Sequence, residues 1–311
     1  KLDTTPRPVP GVNADGGGSL DAMMLDMKRT FDEVVESQAS PEKAAQILNN
    51  PFYIALSSSF AGTQEYMAME KLGQLHRDAE KTGRWDLVVV DTPPSRSALD
   101  FLDAPERLSS FLDGRFIRIL LAPARGPARL MTAGLGVVTN AMTKILGAQV
   151  LRDMQTFVAA FDTLFGGFRQ RAQKTFALLQ APGTAFVVVA APEPDALREA
   201  AYFVERLAGE NMPLAGLVVN RAGRVTLTGL SGDQAVAAAE RLDASNGDSS
   251  AMTAGLLRLH ADRTRIVARE SHLRQRFTAA HPHVPTAVMP ALSTDVHDLD
   301  GLRQVGDLLA G

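Results

Sequence analysis

The residues Asp91-Thr92-Pro93-Pro94 end an apolar run, Trp85-Asp86-Leu87-Val88-Val89-Val90, and set a carboxylate and a hydroxyl at its close. Four consecutive apolar residues after a charged one read as a parallel strand buried on both faces. Ligands of open α/β sheets bind beyond the C-terminal ends of the strands. A carboxylate held there could bind Mg²⁺ directly or through a water, as the Walker B aspartate of nucleotide hydrolases does. The two prolines fix φ and restrict the residue before them, so no regular helix starts at once. The competing use of Asp91 is to cap a helix beginning at Ser95.

A second group of candidates closes other apolar runs. Val218-Val219-Asn220-Arg221 ends in an amide that both donates and accepts, a pairing suited to the edge of adenine. Asparagine after a strand is also a common turn residue. Beyond the run 185–190, Glu193 in Ala191-Pro192-Glu193 and Glu199 are acids whose reading from sequence is a helix start. Early acids beside a proline suit the start of a helix.

The elements that would position these residues alternate. Residues 1–18, with Pro6, Pro8, Pro10 and Gly16-Gly17-Gly18, read as a connector into a strand over Leu20–Leu25 that Asp26 ends. Helices are expected around Arg29–Glu36, from Pro41 with Ser40 as its cap, and over 60–82. After the run ending at Asp91, buried strands are expected at Ala185–Ala190, Leu214–Val219 and Pro285–Met289. Helices are expected over Ala196–Ala208 and near Leu299–Leu309. This order argues for an α/β fold, a mostly parallel sheet covered by helices on both faces. The stretch 222–261, rich in Ala, Gly, Ser and Asp, reads as a loop with one helix at Asp233–Leu242; it suggests no function.

From Leu108 to Arg171 the pattern is helical throughout, broken at Pro123, Gly126-Pro127 and Gly166-Gly167. Between Asp113 and Asp153 it carries Arg115, Arg118, Arg125, Arg129, Lys144 and Arg152 and no acid. The segment 108–171 is therefore expected as a helical insertion. Its basic residues are either solvated or form a surface for an acidic, membranous or hydrophobic-helix partner.

Composition removes several classes of function. The 311 residues carry a net charge of −3, which gives no general pull toward nucleic acid. Without cysteine there is no disulfide framework, thiolate metal site or cysteine nucleophile. No basic leader followed by an apolar run opens the sequence, and the uncharged stretch Leu130–Thr143 is too short to span a bilayer. A cytoplasmic protein is expected.

In their order along the chain, the Asp-Thr-Pro-Pro run, the Val-Asn-Arg run and the closing Val288-Met289-Pro290 resemble the anion-transporting ATPase family. That family includes the arsenite pump-driving ATPase and the guided-entry ATPase for tail-anchored membrane proteins. The resemblance covers nearly the whole chain and is most specific over Asp91–Leu102. It implies a single ATPase-like domain of the phosphate-loop class over 1–311, with 108–171 inserted in it. It also implies Mg²⁺-dependent ATP hydrolysis coupled to rearrangement of a dimer, either a homodimer or a heterodimer with a paralogous ATPase, acting on a hydrophobic or membrane-protein client.

By position, Asp91 matches the switch II aspartate at the metal and its water, and Thr92 its neighbour. Asn220, followed by Arg221, matches the asparagine that reads adenine, and the loop from Pro290 toward Asp298 the one that closes over the base. Glu193 and Glu199 match two acids near nucleotide and dimer interface. Gly62, Glu65 and Met67–Met69 resemble the helix that precedes the switch II strand. Three departures stand against the pattern. The family's Thr-Gly-His-Thr after the aspartate is replaced by Ser95-Arg96-Ser97-Ala98, and the absence of cysteine rules out thiol-bound arsenite. No G-x-x-x-x-G-K-[ST] occurs in the 311 residues, so an N-terminal strand and phosphate loop are expected to be missing from the chain as read. Without them the alternative is a non-catalytic subunit paired with a complete paralogue, or a chaperone that binds hydrophobic helices or membranes.

Overall fold

In the computed structural model, the residues described are 2–12, 17–51, 53, 54, 57, 63–92, 167, 170–244 and 248–310. The chain divides into two compact units, Lys1–Leu178 and Leu179–Gly311. The expected insertion 108–171 lies outside the described residues, apart from 167, 170 and 171. So do Gly62, Pro93, Pro94 and the stretch Ser95-Arg96-Ser97-Ala98.

The first unit opens with β1 (Arg7–Pro8) paired antiparallel to β2 (Asp21–Ala22). The strand expected over Leu20–Leu25 is thus reduced to two residues, because its partner among the described residues is itself this short. Helix α1 (Met27–Gln38) begins where the Asp26 carboxylate accepts the Arg29 N–H at 2.8 Å, a side-chain cap for an otherwise orphaned donor. Its apolar face buries Phe31, Val34 and Val35. Helix α2 (Pro41–Leu48) has proline in its first turn, where the missing N–H costs nothing. Helix α3 (Thr63–Thr82) buries Met67, Met69 and Leu72.

Polar pairs fasten these helices. Lys71 reaches Glu33 at 2.9 Å, the Tyr53 hydroxyl donates to Asp32 at 2.6 Å, and Arg171 meets both oxygens of buried Glu70 at 3.0 Å. Beyond α3, Asp21 accepts from Arg84 at 2.7 Å and from the Trp85 indole at 2.9 Å. This fixes the chain just ahead of Leu87.

The second unit is built on a parallel three-stranded sheet in the order β3 (Phe186–Ala190), β4 (Leu214–Ala222), β5 (Thr286–Pro290). Helix α4 (Pro194–Gly209) crosses from β3 to β4, packing on both and burying Leu197, Ala200, Val204 and Leu207. Two helices, α5 (Gly232–Asp243) and α6 (Asp248–Ala280), form a hairpin between β4 and β5. The α5 start is a capping box: Ser231 Oγ accepts from the Gln234 N–H while the Gln234 side chain accepts from the Ser231 N–H. Ala235 and Ala239 of α5 and Ala254 and Ala261 of α6 are all buried, small residues that let the two helices approach closely. Helix α7 (Leu299–Ala310) follows β5 and packs on it.

The fold is therefore α/β with a parallel sheet flanked by helices, the phosphate-loop NTPase class of architecture. Two expectations need correction. Residues 87–90 form no strand and are not buried: Leu87 is 77% and Val89 80% exposed. Apolar patterning records a need for burial, whereas a strand requires neighbouring backbone, and the described residues supply none there. The stretch 222–261 is not mainly loop, since most of its second half belongs to the 33-residue helix α6.

Candidate functional site

The polar candidates of the second unit collect at one end of its sheet. Glu193 is the N-cap residue of α4, three residues past the end of β3. Asn220 and Arg221 lie in the last turn of β4, and Pro290 ends β5. Because the strands are parallel, all of these are at the C-terminal edge, where such sheets bind ligands.

Backbone geometry singles out the end of β4. Register with β5 runs evenly through Val219↔Val288 and then slips, so that Ala222 faces Pro290. Two residues, Asn220 and Arg221, are thus accommodated where β5 offers one, a bulge that re-aims side chains at the sheet's rim. Arg221 takes up the distortion with φ of 61°, a left-handed conformation that costs energy in any residue bearing a Cβ. Pairing resumes at once, with the Ala291 N–H donating to the Ala222 carbonyl at 2.8 Å.

Helix α6 holds this bulge from behind. The Glu270 carboxylate accepts the Gly223 N–H at 2.7 Å, Arg263 Nε donates to the Arg224 carbonyl at 2.8 Å, and the His260 ring meets the Leu230 carbonyl at 2.8 Å. Gly223 is pressed so close that a Cβ there would stand 2.9 Å from Val267 Cγ2 and 3.0 Å from Glu270 Oε2. Only glycine admits that approach. These supports were not legible in the sequence, because Glu270 lies 47 residues from its partner.

Asn220 is half-buried, and among the described residues its amide has no hydrogen-bond partner, which leaves donor and acceptor available to a ligand. Arg221 and Glu193 are exposed; the Glu193 side chain makes no capping hydrogen bond. Glu199 lies on the exposed side of α4, further along the helix. Asp91 and Thr92 belong to the first unit, where both are exposed. The structure therefore brings together Asn220, Arg221, Pro290 and Glu193, and describes Asp91 and Thr92 separately from them.

No group of three or more His, Cys, Asp or Glu able to hold a metal occurs among the described residues. A Mg²⁺ site does not require one. This ion keeps several waters and takes one or two carboxylates together with substrate phosphates. Also among the described residues, no helix is long and apolar enough to cross a membrane.

A parallel sheet flanked by helices, with polar residues at the C-terminal ends of its strands, defines the α/β class of protein whose ligands bind at that edge. Within that class the chain belongs to the anion-transporting ATPase family, whose model matches residues 18–225, more than half of the 311. No curated protein matches the chain significantly.

Proposed function

We propose that this chain is the nucleotide-responsive subunit of an ATPase that uses Mg²⁺ and ATP to drive rearrangement of a dimer acting on a hydrophobic or membrane-protein client. The observation that carries the reading is the bulge at the end of β4, which sets Asn220 and Arg221 beside Pro290 at the ligand edge of the sheet. The half-buried Asn220 amide suits the adjacent donor and acceptor of adenine. The loop after Pro290 would lie over the base, and Arg221 would face the phosphate or ribose side as a permanent cation. Asp91, with Thr92 beside it, would hold Mg²⁺ or its water. Glu193 and Glu199 would lie toward nucleotide and dimer partner. When bound, Mg²⁺ would offset charge developing on the phosphates.

Within the 311 residues there is no phosphate-loop lysine, so this edge supplies base recognition more plainly than phosphate positioning. The second reading is a non-catalytic subunit that pairs with a complete paralogue. Two variants of the native open reading frame test both. Asp91→Asn should retain nucleotide while turnover falls on the order of 10²–10³-fold, the scale seen on removing one electrostatic stabiliser. Wild-type turnover in that variant would remove Asp91 from the reaction. Asn220→Ala should weaken ATP binding and shrink the preference for ATP over GTP together, because a site built to hydrogen-bond one base leaves groups unpaired with the other. Unchanged binding and preference would make Asn220 a turn residue only.

A further inference from the structure

We infer that the outward face of α6 docks on anionic membrane surfaces. Met252, Leu256, Leu259 and Ile266 follow one another at steps of four, three and seven residues, which puts them on one stripe of a helix with 3.6 residues per turn. They are 72, 60, 64 and 54% exposed. On the opposite side of the same helix Ala254 and Ala261 are buried in the hairpin. Arg263 and Glu270, in line with the stripe, are held by Arg224 and Gly223, so the free part of the stripe is Met252, Leu256, Leu259 and Ile266. Four large aliphatic side chains in one line exceed the scattered apolar exposure normal on a soluble surface.

Charge decides what covers the stripe. Residues 249–261 contain no acid, and Arg258 is their only fixed charge. Arg258, Arg265, Arg269 and Arg276, at steps of seven, four and seven, run as a second line about a third of a turn round the helix from the first. Arg258 pairs with Asp243 and Arg265 with Asp262, whereas Arg269 and Arg276 have no carboxylate partner among the described residues. A second copy would bring like charge onto like charge, since 258–276 holds six arginines against Asp262 and Glu270, and Glu270 is engaged with Gly223. An anionic bilayer meets both lines at once: aliphatic side chains enter the headgroup boundary while the arginines contact lipid phosphates and carboxylates.

Flotation of the whole protein with vesicles tests the inference. The protein should float with vesicles of phosphatidylcholine plus phosphatidylserine, not with phosphatidylcholine alone, and raised salt should release it. Leu256→Asp with Leu259→Asp should abolish flotation; both positions are exposed, so circular dichroism should be unchanged. Arg269→Gln with Arg276→Gln should weaken binding by about tenfold or more, at roughly fivefold per arginine near an anionic surface. Absence of flotation, equal flotation with neutral vesicles, or indifference to the leucine changes would overturn the inference. So would a dimer seen by light scattering that the leucine changes dissociate, with no flotation, since the face would then join copies of the chain.

Discussion

Leu87-Val88-Val89-Val90 and Phe186-Val187-Val188-Val189 are near copies in composition, yet only the second lies in a sheet. In β3, Val188 and Ala190 are buried while Val187 and Val189 are exposed, so that strand is secured by its pairing with β4 and by α4 on one side. The 87–90 segment has a fixed start, through Trp85 and Arg84 on Asp21, but no backbone partner among the described residues. A hydrophobic run thus states a demand, and neighbouring strands decide whether it is met. The two units differ in the same way. The described part of the first is helices fastened by polar pairs, and the second is a sheet whose backbone ladder does the fastening.

The largest effect should come from breaking that ladder. Gly216, in β4, lies where an added Cβ would stand 2.6 Å from the Pro285 carbonyl oxygen. That oxygen accepts the Leu217 N–H at 2.8 Å, so backbone cannot shift without loss of the β4–β5 pairing. Gly216→Val should destabilise the second unit by about 3 kcal/mol, the upper range for forced overpacking. Chemical denaturation followed by a probe in each unit checks it, and the helices of the first unit should melt as in the wild type.

The polar fastening of the first unit should respond to alkaline pH through Tyr53. Burial, and then the Asp32 carboxylate that accepts its proton, pushes the Tyr53 hydroxyl well above the usual phenol range. The folded value lies above the unfolded one, so the contribution is complete below about pH 10, the unfolded phenol value, and is lost as pH rises beyond it. Tyr53→Phe should cost about 1 kcal/mol at neutral pH, the net worth of one hydrogen bond. It should also remove this residue's share of alkaline destabilisation. A stability–pH curve whose alkaline limb is the same in both proteins would show that the phenol does not control it.

Much of the second unit was legible in the sequence. Strands expected at Ala185–Ala190, Leu214–Val219 and Pro285–Met289 occur at Phe186–Ala190, Leu214–Ala222 and Thr286–Pro290, because short apolar runs between helices leave few other arrangements. Their C-terminal ends, and with them Asn220, Arg221 and Pro290, followed directly. The bulge did not, since a register slip depends on β5 and on α6, both distant in sequence. Helix α6 was missed because much of its circumference is exposed, so its apolar residues do not mark a single buried face, even though its alanines favour helix. Asp91 was read correctly as the end of an apolar run but not as an exposed residue, because exposure is set by what packs nearby.

The smallest expected effect, at Val89, belongs to the sharpest test of the contrast between the two runs. Val→Thr keeps shape and β-branching and exchanges a methyl for a hydroxyl, so its cost measures burial almost alone. At Val188, 7% exposed in β3, the hydroxyl would be buried without a partner, and the exchange should cost about 1–3 kcal/mol. At Val89, 80% exposed, the same hydroxyl remains in water, and the change should stay within about 0.5 kcal/mol. Denaturation midpoints at matched slope give both values directly. Equal costs at the two positions would mean that Val89 is buried in solution and that the 87–90 run has found a neighbour. In that event Asp91 would close a buried strand after all, at the position where a carboxylate best serves a metal-bound phosphate.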